Sequence, residues 1–253
     1  MNFVRSAPAP DQVCKLGARQ QLNQLTSFID GSQIYGSNKQ RSDQLRTFSG
    51  GKLKTSFLNG KPFLPFSNSS GSCRLPRGSQ MRCFMAGDMR VNEHFDLSVM
   101  HLMWLREHNR IADELARLNP GWNDEILYQE TRRIIAAQLQ HIVFNEFVPI
   151  ILGKQLMNKF NLLLTRNEFS QGYSTEINPG IISSFATAAY RLHTLVPGVI
   201  ELGTANNQVL DRIELKDQFN SPQVLFRQNV ADLLVNGLTG QPVQNGNYYS
   251  FSS

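Results

Sequence analysis

Residues 83–108 read CFMAGDMRVNEHFDLSVMHLMWLREH, from Cys83 to His108, and the rest of the chain is best understood outward from them. The first part sets a guanidinium, Arg90, three residues before a carboxylate, Glu93. On their own, an Arg and a Glu so spaced read as an intrahelical ion pair. From Leu97 an apolar stripe runs through Trp104, Ile111, Leu115 and Leu118 at spacings of three, four and seven, and Asn119-Pro120-Gly121 ends it. That pattern predicts an amphipathic helix with a firm stop.

A second helix is expected at once. Asn123 can cap it, Asp124 and Glu125 suit its first turn, and Leu127, Ile134, Leu139, Ile142 and Phe147 continue a helical face until Pro149 and Gly153. Asn178-Pro179-Gly180 and Pro197-Gly198 frame a third helix with Ile182, Phe185, Ala189, Leu192 and Val196 on one side. Residues 1–80, rich in Gly, Ser, Asn and Pro, read as loops and brief helices. With no internal repeat and no βαβ alternation, the class is mainly α. Past Gln244 a polar and aromatic tail, residues 245–253, has no helical period and is expected to be unpacked.

A length of 253 residues suits one large domain, and 41 % apolar with 18 % charged residues is ordinary globular composition. The net charge of +5 is spread among acidic residues, so the footprint of a nucleic-acid binder is missing. The opening Met1-Asn2-Phe3-Val4-Arg5 has no apolar run of signal-peptide length. No stretch is expected to approach the roughly 20 apolar residues of a membrane helix. Cys73 and Cys83 flank a Ser-, Gly- and Arg-rich loop and can pair in an oxidising compartment, leaving Cys14 without a partner in this chain. Asn68-Ser69-Ser70 fits the glycosylation pattern, a weak signal alone.

Three further segments bear on chemistry. Thr26-Ser27-Phe28-Ile29-Asp30-Gly31-Ser32 offers hard oxygen at alternate positions, as a Ca²⁺ loop does, although such composition is also common in turns. His101 and His108, seven apart, share a face with Trp104 and Ile111; without a third ligand at helical spacing they read as hydrogen-bonded core residues rather than a metal site. In Phe185 to Leu195, FATAAYRLHTL, small residues before His193 would let a planar ligand approach the backbone, whereas a lone His on an apolar helix is ordinarily a satisfied core residue.

Taken together, CFMAGD before Arg90 and Glu93, LREHNR after them, the run LNQLTSFIDGSQIYGS from Leu22 to Ser37 and the His193 segment resemble the animal haem peroxidases, almost end to end from Phe3 to about Gln244. The resemblance implies a haem-peroxidase-like helical domain over residues 1–244, incomplete at both ends, that oxidises small reducing donors with hydrogen peroxide. It makes Arg90 the distal arginine, Glu93 the carboxylate that esterifies a methyl of haem b, and His193 the axial ligand of the haem iron, with Arg191 also at the cofactor. It makes Thr26, Phe28 (through its carbonyl), Asp30 and Ser32 calcium ligands. His94 stands where myeloperoxidase has a Met that makes a further haem link, so the peroxinectin or peroxidasin type is closer. The family's Arg lies three residues before the axial His, about 60° away on a helix, whereas Arg191 and His193 are two apart and about 160° away. His193 is expected to keep the iron side.

By the same resemblance, a distal His with its neighbouring Asp and a later Asn would lie outside this chain, and none of its five histidines takes the distal place. Extracellular localisation is implied by the family; the basic net charge leaves room for a polyanionic cell-surface or matrix partner, with no nucleic acid and no membrane segment expected. The competing readings are a catalytically incomplete binding or adhesion module, and an unrelated helical binding protein with a chance motif.

Overall fold

The computed structural model describes residues 7–9, 19–68, 73–165, 168 and 171–245; Cys14 and residues 246–253 of the expected tail lie outside them. Two short helices come first, α1 (Ser32–Tyr35) and α2 (Lys39–Leu45), the second capped by Asn38, which accepts from the Arg41 amide. A small antiparallel ribbon follows, β1 (Ser56–Leu58) with β2 (Lys61–Phe63). The chain then passes through a 3-10 turn at Met89–Asn92 into α3 (Phe95–Leu118).

α3 begins where the His94 ring accepts from the Asp96 amide, and it ends at Asn119, whose amide and side chain both donate to the Leu115 carbonyl. It buries Phe95, Val99, Leu102, Leu105, His108 and Ile111. Against it lies α4 (Asp124–Ile142), capped by Asn123 as its sequence predicts, with Leu127, Tyr128, Thr131 and Ile135 inward. The inward faces differ in part from the expected stripes: Leu97, Leu118 and Ile134 are exposed. Both helices are apolar on more than one side, and spacing cannot say which side another element covers.

Pro149 and Gly153 do not end the helical run. A π turn, Val143–Phe147, carries it into α5 (Val148–Lys159), and the wider turn just before Pro149 accommodates a residue that has no N–H to give to the helix. Gly153 only kinks the helix, at φ 73°. The resulting 36-residue stretch Asp124–Lys159 is, by length and composition alone, long and apolar enough to cross a membrane, which corrects the expectation that no such stretch exists. Its first half packs on α3, whereas of α5 only Met157 is buried and Ile150 is 81 % exposed.

The third helix expected between residues 178 and 198 does not form. It is replaced by a π turn, Phe185–Ala189, and a 3-10 turn, His193–Leu195, separated at Tyr190 by a non-helical backbone (φ −125°, ψ 65°). Ile182, Phe185, Leu192 and Val196 are exposed, so among the described residues the apolar stripe has no surface whose burial would offset the ordering of a helix.

The ribbon β3 (Val199–Gly203) with β4 (Val209–Glu214) and helix α6 (Val230–Gly240) close the fold. α6 lies so near β3 that a Cβ at Gly237 would stand 1.9 Å from the Glu201 carbonyl oxygen, which is why glycine occupies that position. Phe84 lies among Phe63, Phe66 and Phe226 at ring-centroid distances of 5.0, 5.9 and 5.7 Å. Cys73 and Cys83 form a disulfide. With two two-stranded ribbons beside these helices, the described fold is mainly α, as the sequence predicts.

Candidate active site

Arg90 and Glu93 sit on the Met89–Asn92 turn and its C-cap, and the backbone there is held at several points. Asn92 pairs through both side-chain atoms with the backbone of Phe84, its Nδ2 donating to the carbonyl and its Oδ1 accepting from the amide, each at 2.8 Å. The Ser98 hydroxyl donates to the Val91 carbonyl at 2.5 Å. The Glu93 carbonyl accepts from the amide of Asn220 at 3.0 Å, and the Asn220 carbonyl accepts from Arg74 at 2.6 Å. Asn220 makes this double contact with a left-handed backbone, φ 57°.

Gly87 brings the turn against α1. A Cβ there would meet the Gly36 nitrogen at 2.4 Å and the Ser32 oxygen at 2.5 Å, so no side chain can enter. The next residue, Asp88, donates its amide to the Gln33 carbonyl at 2.9 Å. Its carboxylate accepts from the Arg90 amide at 2.8 Å, from Arg90 Nε at 3.0 Å and from Arg90 Nη2 at 2.7 Å. The Arg90 fork holds the Asp88 carboxyl below the usual carboxylate range, and Asp88 in turn raises the Arg90 pKa. Arg90 thus pairs with Asp88 rather than with Glu93, contrary to the simple ion-pair reading. The Glu93 side chain is exposed and makes no hydrogen bond or ion pair among the described residues.

His94, next to Glu93, turns inward. Its Nδ1 accepts the Asp96 amide proton at 3.0 Å, so the ring proton is on Nε2, which is buried without a partner among the described residues. Burial lowers the His94 pKa to about 4 and raises that of Asp96 to about 7. Their 3.5 Å approach is therefore not an ion pair at neutral pH, despite its distance, because the imidazole is neutral there. No local pattern around His94 signals this inward capping role.

The Thr26–Ser32 loop gathers three of its four expected ligand residues. Thr26 Oγ1 lies 2.7 Å from Ser32 Oγ and donates to Asp30 Oδ1 at 3.3 Å, and the Ser32 amide donates to the same Asp30 oxygen at 2.9 Å. Gly31, at φ 74°, reverses the chain between them. The Phe28 ring is exposed, leaving its carbonyl as the group the resemblance would use.

His193 and Arg191 are exposed on the segment that failed to become a helix, so the 160° argument from a regular helix does not apply to them. No hydrogen bond, ion pair or ring contact among the described residues joins either to Arg90 or Glu93. Their neighbour Tyr190 stacks on Phe185 at 5.5 Å and meets Phe147 edge-on at 6.3 Å. His108, in contrast, is fully buried: its Nε2 donates to the Gly51 carbonyl at 2.8 Å, and its Nδ1 accepts from the Tyr35 hydroxyl at 2.9 Å. Burial lowers its pKa to about 4, as suits a core residue. Nδ1 of His101 lies 2.7 Å from the Leu97 carbonyl.

The sequence pattern of the family described as animal haem peroxidase matches residues 1–252. Chorion peroxidase of Drosophila melanogaster is 36 % identical over 245 residues, 96 % of this chain and 30 % of that protein. A human peroxidasin homolog is 39 % identical over 259 residues, 95 % of this chain and 17 % of the human protein. Among solved structures, peroxidase A of Dictyostelium discoideum superposes with a TM-score of 0.76 at 28 % identity, covering 96 % of this chain and 47 % of the other. A fatty acid alpha-dioxygenase of Oryza sativa shares the fold at 19 % identity, TM-score 0.67. The chain therefore spans under half the length of each of these relatives.

Proposed function

The chain belongs to the animal haem peroxidase family, and from that premise we propose that it supplies a haem-binding part of a haem-dependent peroxidase that oxidises small reducing donors with hydrogen peroxide. The observation that carries this reading is the Met89–Asn92 turn: its backbone is locked by Asn92, Ser98 and Asn220, while Arg90 and Glu93 remain exposed. The chemistry of the groups there fits haem. The exposed apolar side chains of Leu97 and Met100, three apart on α3, suit the face of a flat apolar macrocycle, the Arg90 guanidinium suits an anionic group, and the unpaired Glu93 carboxylate suits an ester.

Bound haem would supply the redox chemistry, passing electrons from the donor to peroxide. Arg90 stays protonated at any working pH and would supply positive charge to stabilise negative charge developing on a departing oxygen. Glu93 is the carboxylate available for an ester to haem b. His193, an exposed imidazole, is the candidate iron ligand, with Arg191 beside it. The Thr26, Asp30 and Ser32 oxygens and the Phe28 carbonyl are assigned to Ca²⁺, which needs six to eight oxygens and so takes others from elsewhere. The Cys73–Cys83 disulfide supports an oxidising, extracellular location.

Hemin titration of the purified chain tests the proposal. A Soret band lost in His193→Ala, with peroxide-dependent donor oxidation lost in Arg90→Ala, is the expected result; a wild-type chain that takes up no hemin, or a band indifferent to His193, would sink it.

One observation favours a second reading. His94, His108 and His141 are engaged in hydrogen bonds and His101 through its Nδ1, and among the described residues none of the four is hydrogen-bonded to the Arg90 guanidinium. Haem uptake without donor oxidation would support a peroxidase-like binding or adhesion module with a cell-surface or matrix partner.

A further inference from the structure

We propose that Asp88 is a positioning residue that holds the Arg90 guanidinium off Glu93, so that guanidinium and carboxylate remain two separate working groups. What the two groups are used for rests on the peroxidase reading; how they are kept apart is a matter of the turn's own geometry.

A 3-10 turn has three residues per revolution, so side chains at i and i+3 eclipse. Arg90 and Glu93 are so placed, on the same side of Met89–Asn92 and its cap. They are near enough that the Glu93 charge helps to keep the proton on Arg90. Left to themselves, opposite charges at this spacing close into an ion pair. Such a pair would hide the guanidinium from a bound peroxide and the carboxylate from esterification.

Asp88 prevents it by being fixed in advance. Its amide is tied to the Gln33 carbonyl, and the absence of a Cβ at Gly87 lets that tie form. Its Oδ1 is already oriented by capping the Arg90 amide, so the carboxylate meets the Nε and Nη2 edge of the guanidinium as a two-pronged acceptor. The Asp88 side chain is only 14 % exposed, so water and salt screen it less than they screen Glu93. With Nε and one hydrogen of Nη2 occupied, the Nη1 edge of Arg90 is left free to meet a ligand.

A capping pair that merely stabilised the turn would show no dependence on Glu93, and that separates the two accounts. In the haem-free chain, the Arg90 Nε–H signal in ¹H–¹⁵N spectra is followed in four proteins: wild type, Glu93→Gln, Asp88→Asn and the double variant. Asp88→Asn keeps an oxygen to cap the Arg90 amide but loses the charged fork. Glu93→Gln is expected to leave the signal in place when Asp88 is present and to shift it in the Asp88→Asn background, because only there does Glu93 capture the guanidinium. Equal effects of Glu93→Gln in both backgrounds, or none in either, overturn the proposal. Should Asp88→Asn fail to fold, Asp88→Ser retains a capping oxygen and serves in the same comparison. After hemin loading and treatment with hydrogen peroxide, the two-electron oxidant that turns a haem methyl C–H into the ester C–O, covalently retained haem is expected to fall about tenfold in Asp88→Asn, the weight of one charge-assisted contact. If no variant and no wild type takes up hemin, the peroxidase reading fails while the spectral result still decides the role of Asp88.

Discussion

The Met89–Asn92 turn and the segment from Ile181 to Val196 carry the residues assigned to opposite sides of a haem, yet they are built in opposite ways. At the turn, every anchor comes from this chain: Phe84, Ser98, Asn220 and Gln33 hold the backbone, and an aromatic cluster lies behind it. Along the other segment the apolar side chains face outward and the backbone breaks at Tyr190. The difference teaches that the first site is specified by contacts within these residues. The second has the sequence of a helix but lacks, among the described residues, a surface on which to fold as one.

The sharpest way to break this contrast is Gly87→Ala. With three backbone atoms inside 2.7 Å of the added carbon, loss of at least ~4 kcal/mol is expected, enough to unfold a chain of ordinary stability, and urea melts would show it. A milder loss would mean that α1 and the turn can part.

Acid should act on the well-built side as well. The folded-state pKa of His108, about 4, lies below the ordinary 6.5, so the unfolded chain takes up the proton first. His108 therefore contributes stability fully present above pH 6.5 and lost as pH falls toward 4, on the order of 3 kcal/mol. His108→Phe should flatten the pH dependence of the melting temperature across that window; an unchanged slope would remove His108 as its cause.

Asn92→Ala leaves the amide and carbonyl of Phe84 buried and unpaired, and about 2 kcal/mol is expected to be lost in the same melts. Phe185→Ala, by contrast, should cost less than about 0.5 kcal/mol, because the ring is exposed. A cost for Phe185→Ala equal to that of Asn92→Ala would erase the distinction between the two regions.

Much of the first region could be read from sequence. The α3 stop at Asn119, the Asn123 cap and the Cys73–Cys83 pairing follow from local patterns whose physical causes are local, and the core role of His108 from its place on the apolar face of α3, although its partners Gly51 and Tyr35 are distant in sequence. The family motif pointed to Arg90 and Glu93, but not to the partner of Arg90, since a carboxylate two residues before and one three residues after look alike on paper. His94 was weighed only as a possible neighbour of haem, and its inward capping depends on how the turn enters α3. The misplaced stripes on α3 and α4, the missed continuity through Pro149 and the absent third helix share one cause: periodicity reports which residues are apolar, whereas the surfaces that cover them are distant in sequence.

Asn220 has a consequence beyond its two hydrogen bonds. From Glu93 through Asn220 to Arg74, across the disulfide from Cys73 to Cys83, and along the chain from Phe84 back to Glu93, the connections form a closed circuit, part covalent and part hydrogen-bonded. Reduction of the S–S bond leaves that circuit closed only through the main-chain loop from Arg74 to Cys83, which lengthens it at a point remote from the carboxylate and slackens the hold of Arg74 on Asn220. The rigidity of Glu93 is thus tied to the redox state of its surroundings, and a thiol-rich environment would loosen the turn without touching any of its own residues.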